Sequence, residues 1–150
     1  MNRKTYIRSE YKADREAAKE YLSQLYRLDL RIKSKKMQIE ALDDCLKSIT
    51  VNTDALRVDG GKAMDMGDRV GRIIDLKNSI NEDIFKYAEL QEDISYKINK
   101  LPNLLAIVLE LKHMHGLYNW QIAQELKYSP GNIDFIYAEA LVKFYNLWLS

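Results

Sequence analysis

Few residues of this 150-residue chain are equipped for bond-making chemistry. His113 and His115 are two positions apart and point to different sides of a helix, whereas paired helical metal ligands need a separation of four. They read as surface histidines. Cys45 is the one cysteine, which excludes an intrachain disulfide and a cysteine-based zinc site, and it reads as a small core or seam residue. The stretch VDGGKAMDMGD is not followed by the pattern of a phosphate loop, and no Ser-His-Asp set or aspartate cluster with ligand spacing occurs. Neither catalysis nor a cofactor or metal is expected. The chemistry the chain does offer is recognition by hydrogen bonds. Asparagine pairs with the adenine edge and glutamate accepts from cytosine, so Asn132 and Glu139 have the right groups to read bases.

The elements that must position these side chains are helices. Ile122, Ala123 and Leu126, then Ile133, Ile136, Ala140, Leu141 and Phe144, form two short amphipathic faces separated by about three turn residues. Ala123 is small enough to let the two helices cross closely, giving a helix-turn-helix arrangement. Asn119 is the expected cap of the first of these helices. Ser129 as N-cap and Pro130 at the first helical position start the second, which should run to about Leu149. Upstream, Pro102 stops a helix, Asn103 can cap the next, and Gly116 ends NLLAIVLELKHMH in the role of the residue after the C-cap.

Two longer helices precede this region. Leu25, Leu28, Ile32, Ile39, Leu42, Leu46 and Ile49 recur at steps of three and four, with Lys35 in the one missing step. Ala18 and Tyr21 extend the series back toward Ser9, a possible N-cap. A second series runs through Val70, Ile73, Ile80, Ile84, Tyr87, Ile94, Ile98 and Leu101. Side chains in such narrow seams each contribute on the order of 1.5–3 kcal/mol when buried, so the seams need partners, within the chain or in a second copy. Lys35 either favours one register or snorkels to the edge. Between the helices, TVNTDALRVDGGKAMDMG disfavours helix continuation.

Charge is distributed unevenly. The formal net charge is +1, but the first, second and last fifty residues carry +4, −2 and −1. Cations gather at Arg3, Lys4 and Arg8 and in RIKSKK, Arg31 to Lys36, far in sequence from Asn132 and Glu139. Hydrophobic residues make up 47% and charged residues 30%, enough to bury a core. The N-terminus lacks the apolar stretch of a signal peptide and no apolar run reaches the ~20 residues of a membrane span, so a cytoplasmic location without membrane partners is expected.

The segment LELKHMHGLYNWQIAQELKYSPGNIDFIYAEAL resembles the sigma-70 region 4-like helix-turn-helix. There a leucine-rich helix, a Gly-Leu turn, an Ile-Ala-x-x-Leu helix and a Ser-x-x-x-Ile/Val helix ending in Ala-Leu recur. Upstream, IKSKKMQIEALDDCLKSIT and MGDRVGRIIDLKNSINEDI are similar to the long-helix region of ArpU/RinA-like late-gene activators of phages and prophages. The resemblance covers roughly Arg31 to Leu141. It implies a promoter-binding transcription regulator acting in the bacterial cell with host RNA polymerase. It places Asn132, Phe135 and Glu139 toward DNA, with Asp134 beside them and Ser129, Lys127, Lys143, Asn119 and Gln121 around them. Relatives carry Thr, Arg or Lys at the DNA-facing positions.

The expected architecture is all-α, a long antiparallel helical hairpin or coiled coil followed by a small three-helix domain. Its divisions are a basic segment with the first long helix over 1–49, a flexible connection over 50–67, the second long helix over 68–101 and the helix-turn-helix over 102–150. Double-stranded DNA is the expected partner. Arg31, Lys33, Lys35 and Lys36 are candidate phosphate contacts, and Leu25, Leu28, Ile32, Ile39, Leu42, Ile73, Ile80, Ile84, Ile94 and Ile98 form a seam for pairing, in a homodimer or within the chain. A different function follows if the apolar last helix, with Phe135, Tyr145 and Trp148, binds a host protein in place of DNA. A third arrangement has that helix docked back and buried on all faces.

Overall fold

The computed structural model describes residues 2–51 and 65–150, with residues 49–51 described by backbone alone. It is all-α. After a short 3-10 helix at Arg3–Ile7 and a 3-10 turn at Ser9–Tyr11 come α1 (Lys12–Leu22), α2 (Gln24–Val51), α3 (Met66–Ile98), α4 (Asn103–Leu109), α5 (Asn119–Leu126) and α6 (Pro130–Phe144). A π-helical turn follows α4 at Glu110–Met114, and another continues α6 over Tyr145–Leu149. Among the described residues no helix is long and apolar enough to cross a membrane.

The first long helix expected from Ser9 is divided. Ser9 opens the 3-10 turn rather than capping a helix, and α1 ends at Ser23, whose N–H donates to the carbonyl of Lys19 at 2.9 Å. The Gln24 side-chain amide donates to the Tyr21 carbonyl at 2.9 Å, where a backbone donor would otherwise continue the ladder. Most of the expected connection, 50–67, lies outside the described residues. Its ends, residues 50–51 and 66–67, are helical.

The chain forms two compact units, one built from its two ends, up to Arg27 and from Ala88 onward, and one between Leu28 and Tyr87. In the second unit the α2 positions at steps of three and four are covered. Ile32 is buried and Leu28, Lys35, Ile39 and Leu42 are half-buried. On α3 the covered positions are Ile73, Leu76, Ile80, Asp83 and Tyr87, alternate steps of three and four. Ile84, assigned to this seam from its apolar character, is 46% exposed, while its neighbour Asp83 is only 6% exposed. Val70 is exposed as well. The reason is Lys35. Its ammonium forms an ion pair with Asp83 and donates to Ser79 Oγ at 2.6 Å, so the polar step of one helix answers the polar step of the other. Lys35 is therefore a seam residue and not a free cation for phosphate.

In the first unit, α6 packs against α4, α5, α1 and the 3-10 helix Arg3–Ile7. Ala18 and Leu22 of α1, Leu25 of α2, and Ile94 and Ile98 of α3 are buried in this unit. One cluster ties α1, α3 and the C-terminal turn together. Lys97 donates to Tyr21 Oη at 2.6 Å and pairs with Asp93 at 3.0 Å, Tyr21 donates to the same carboxylate, and Trp148 Nε1 donates to the Lys97 carbonyl at 3.1 Å. Tyr21 and Lys97 hold Asp93 below the usual carboxylate range, the tyrosine hydrogen bond being the larger cause.

The Lys35–Asp83 pair sets register more than stability, because desolvating two charges offsets much of their attraction. Lys35→Leu alone is expected to lower stability by about 1–3 kcal/mol, since it strands a buried carboxylate. Lys35→Leu with Asp83→Leu should restore stability to at least the original value. Urea unfolding followed by circular dichroism measures both; equal losses in the single and double variants would contradict the assignment.

Candidate nucleic-acid interface

The start of α6 is fixed by three local devices. Lys127 adopts a left-handed conformation, φ 59°, closing α5, and the Tyr128 N–H donates to the Ala123 carbonyl at 3.0 Å. Ser129 Oγ accepts from the Asn132 N–H at 3.2 Å, and Pro130 occupies the first helical position, where no backbone N–H is needed. Gly116, at φ +70°, ends the preceding π-helical turn in the same left-handed manner. The two short helices read from sequence are α5 and α6, separated by residues 127–129.

The cap of α5 differs from the expected one. Asn119 is the first helical residue, and Gln121 serves the end instead, its Oε1 accepting from the Tyr118 N–H at 2.8 Å. Asn119 turns its amide the other way and donates to Asp134 Oδ1 at 2.7 Å, leaving its own Oδ1 buried without a partner. Asn103 likewise is the first residue of α4 and makes no side-chain cap.

Of the α6 positions placed toward DNA, the structure leaves open only those at the start of the helix. Ser129, Pro130, Gly131 and Asp134 are exposed and Asn132 is half-buried. Beyond it the helix is covered. Glu139 is 9% exposed and bridges Arg3 Nε at 2.8 Å and Lys143 Nζ at 3.0 Å, so it is not available to accept from a base. Phe135 is half-buried, with the Lys4 ammonium 5.6 Å from its ring centre. Both losses have one cause: the N-terminal 3-10 helix lies on the face of α6 that carries residues 135 and 139, four apart. That segment is itself held by Arg15, whose guanidinium donates to the Tyr6 and Arg8 carbonyls, the latter at 2.8 Å.

Lys127 is exposed and Lys143 is engaged by Glu139. Arg31, Lys33 and Lys36 are exposed on α2 in the other unit, Lys33 pairing with Asp29 at 2.9 Å. Tyr118, Trp120 and Tyr128, which flank the turn, are 66%, 54% and 42% exposed, while Tyr145 and Trp148 are half-buried.

His113 departs from the surface position expected of it. It lies largely buried against Tyr137, ring to ring at 5.7 Å, its Nε2 hydrogen-bonded to Tyr137 Oη at 2.8 Å. Burial, then the charges of Lys112 and Lys19, push its pKa down to about 4. Burial raises the Tyr137 pKa in turn. His115 remains exposed, as expected.

Comparison of the chain with protein-family models, with curated proteins and with solved structures found no match.

His113 gives the fold a defined acid sensitivity. Its pKa is depressed in the folded state from 6.5 to about 4, so the unfolded chain binds the proton more tightly. Stability is unaffected above about pH 6.5 and falls as pH drops toward 4, by about 3 kcal/mol in total. His113→Gln should lose this slope while unfolding at lower temperature at neutral pH. Thermal unfolding between pH 7 and 4 tests it; parallel curves for the two proteins would exclude His113 as the source.

Proposed function

We propose that the chain is a DNA-binding transcription regulator of the phage late-gene activator type, which docks the first turn of α6 in a major groove and works with host RNA polymerase in the bacterial cytoplasm. The observation that carries this reading is the composition of the ground around that turn. Ser129 to Gly131 and Asp134 are exposed and Asn132 is half-buried at a helix N-terminus, where the positive end of the helix dipole favours phosphate. Arg3 and Lys4, remote in sequence, sit against Glu139 and Phe135 of the same helix.

In this reading Asn132 presents its amide to an adenine edge, as recognition helices do with their N-terminal residues. Lys127, Ser129, Lys4 and the exposed Arg8 contact phosphates, which position the helix without reading sequence. Glu139 is a structural anion, neutralised from two sides. The exposed α2 cations Arg31 and Lys36 add electrostatic attraction. Two chains joined through their long helices would double these contacts, as half-site readers do.

A second reading has its own observation. Tyr118, Trp120 and Tyr128 expose aromatic surface beside the turn, a composition typical of protein interfaces, and fit a module that docks on RNA polymerase, a sigma factor or another host protein.

Fluorescence anisotropy with a duplex from the chain's own upstream region and with a random duplex, at two salt concentrations, separates the two. DNA reading requires preference for the upstream duplex and a steep salt dependence. Asn132→Ala should weaken binding to the preferred duplex by about 1–3 kcal/mol with unchanged thermal stability. Lys4→Ala should weaken both duplexes alike and reduce the salt slope by about 0.9. Absence of binding at low salt, with Trp120→Ala abolishing capture of polymerase, would establish the second reading instead.

A further inference from the structure

Between α1 and α6 lies a small pocket of about 230 Å³, lined by Lys12, Arg15, Glu16, Lys19, Tyr137 and Leu141 among others. The Lys19 ammonium stands 5.8 Å from the centre of the Tyr137 ring, and Lys112, from the π-helical turn after α4, stands 5.6 Å from the same centre. Lys12, Arg15 and Lys19 thus line the pocket from α1, and Lys112 reaches the same ring from a second segment. Against three lining cations stands one lining carboxylate, Glu16, 4.0 Å from Lys12. Arg15 spends its Nη1 on two backbone carbonyls, which satisfy its hydrogen bonds but not its charge. Lys112 is held below the ordinary lysine range by burial and then by the charge of Lys19, with Asp134 opposing.

Folding brings these like charges together at a cost, and a bound anion removes it. The pocket is smaller than the roughly 300–1,000 Å³ of drug-sized ligand sites, so it suits a single compact anionic group. Ammonium groups bind phosphate as point charges with several donors, without needing the planar fork of arginine. We propose that this pocket is a phosphate site, in which Lys19 and Lys112 grip the oxygens above the Tyr137 ring and Lys12 closes the rim. Tyr137 Oη takes no part, being held by His113. The site goes beyond the function proposed above, because it does not require the α6 turn to read bases. It accepts the phosphate of a DNA backbone or a free phosphate group.

The test follows the Tyr137 ring resonance in the full chain with ¹³C-labelled tyrosine, assigned with Tyr137→Phe. Inorganic phosphate is titrated against chloride at constant ionic strength, and a short duplex is titrated separately. A saturable shift with phosphate, weakened at least about tenfold in Lys19→Gln/Lys112→Gln, supports the site. A shift with the duplex alone, with the same sensitivity, supports it and identifies the source as backbone phosphate. Silence toward both probes, or equal shifts in the double variant, overturns it. Lys19→Gln alone, at an exposed position, carries the test if the double variant is unstable. Duplex binding that persists in the anisotropy assay while Tyr137 stays silent removes the pocket and leaves the α6 reading intact. A phosphate response without duplex binding does the reverse.

Discussion

The rest of the structure depends on the need to cover α6 on every side. Its buried residues are Ile133, Ile136, Tyr137, Ala138, Glu139, Ala140, Leu141, Val142 and Phe144, a series that leaves no polar stripe along its middle. A helix apolar around its circumference is stable in water only at the centre of a core. One partner helix covers only part of such a surface, so α4 and α5 together leave the opposite side wet. α1 and the 3-10 helix Arg3–Ile7 close it. At on the order of 1.5–3 kcal/mol for each large aliphatic side chain, this burial outweighs any single polar contact in the unit. It explains why the two ends of the chain fold together.

Much of this was legible locally. Gly116, Ser129 and Pro130 act within a turn or two of themselves, so residue type alone marks them. The α5 and α6 faces and the break at Lys35 were legible for the same reason, since periodicity reports neighbours three and four positions away. What escaped depends on partners distant in sequence. Glu139 looks like an outward polar residue at helical spacing, and its burial becomes intelligible only with Arg3, 136 positions away. Ile84 looks like a seam residue until Lys35 selects Asp83, one position earlier. A single-position choice on a helix rotates the covered face by about 100°, and hydrophobicity alone does not make that choice when a charge pair outweighs it. His113 belongs with these: Tyr137 is its partner, 24 positions on.

Coverage of α6 also changes the electrostatic argument about its first turn. As a linear sequence the last fifty residues carry −1, a poor surface for any polyanion. In the folded unit Arg3 and Lys143 both contact Glu139, so this carboxylate sits in a group of net +1. A charge buried to this degree must be paired, and pairing it with two cations leaves one in excess. Asp134, exposed beside the turn, accepts from the amide of Asn119 on α5. Glu139 is thus answered by two cations, while Asp134 stays exposed and keeps its charge.

The same coverage decides which part of α6 can do anything at all. From Ile136 to Val142 every residue is buried, and movement there would break the core. Ser129 to Asn132, by contrast, are held by a side-chain cap, a proline and a left-handed lysine, three constraints that need no cover from above. A rigid, solvent-facing helix N-terminus is what remains when a helix is buried everywhere else. Recognition helices contact their target with that end. Burial of α6 beyond its first turn is therefore compatible with recognition, provided that the contact is confined to the turn that the core leaves open.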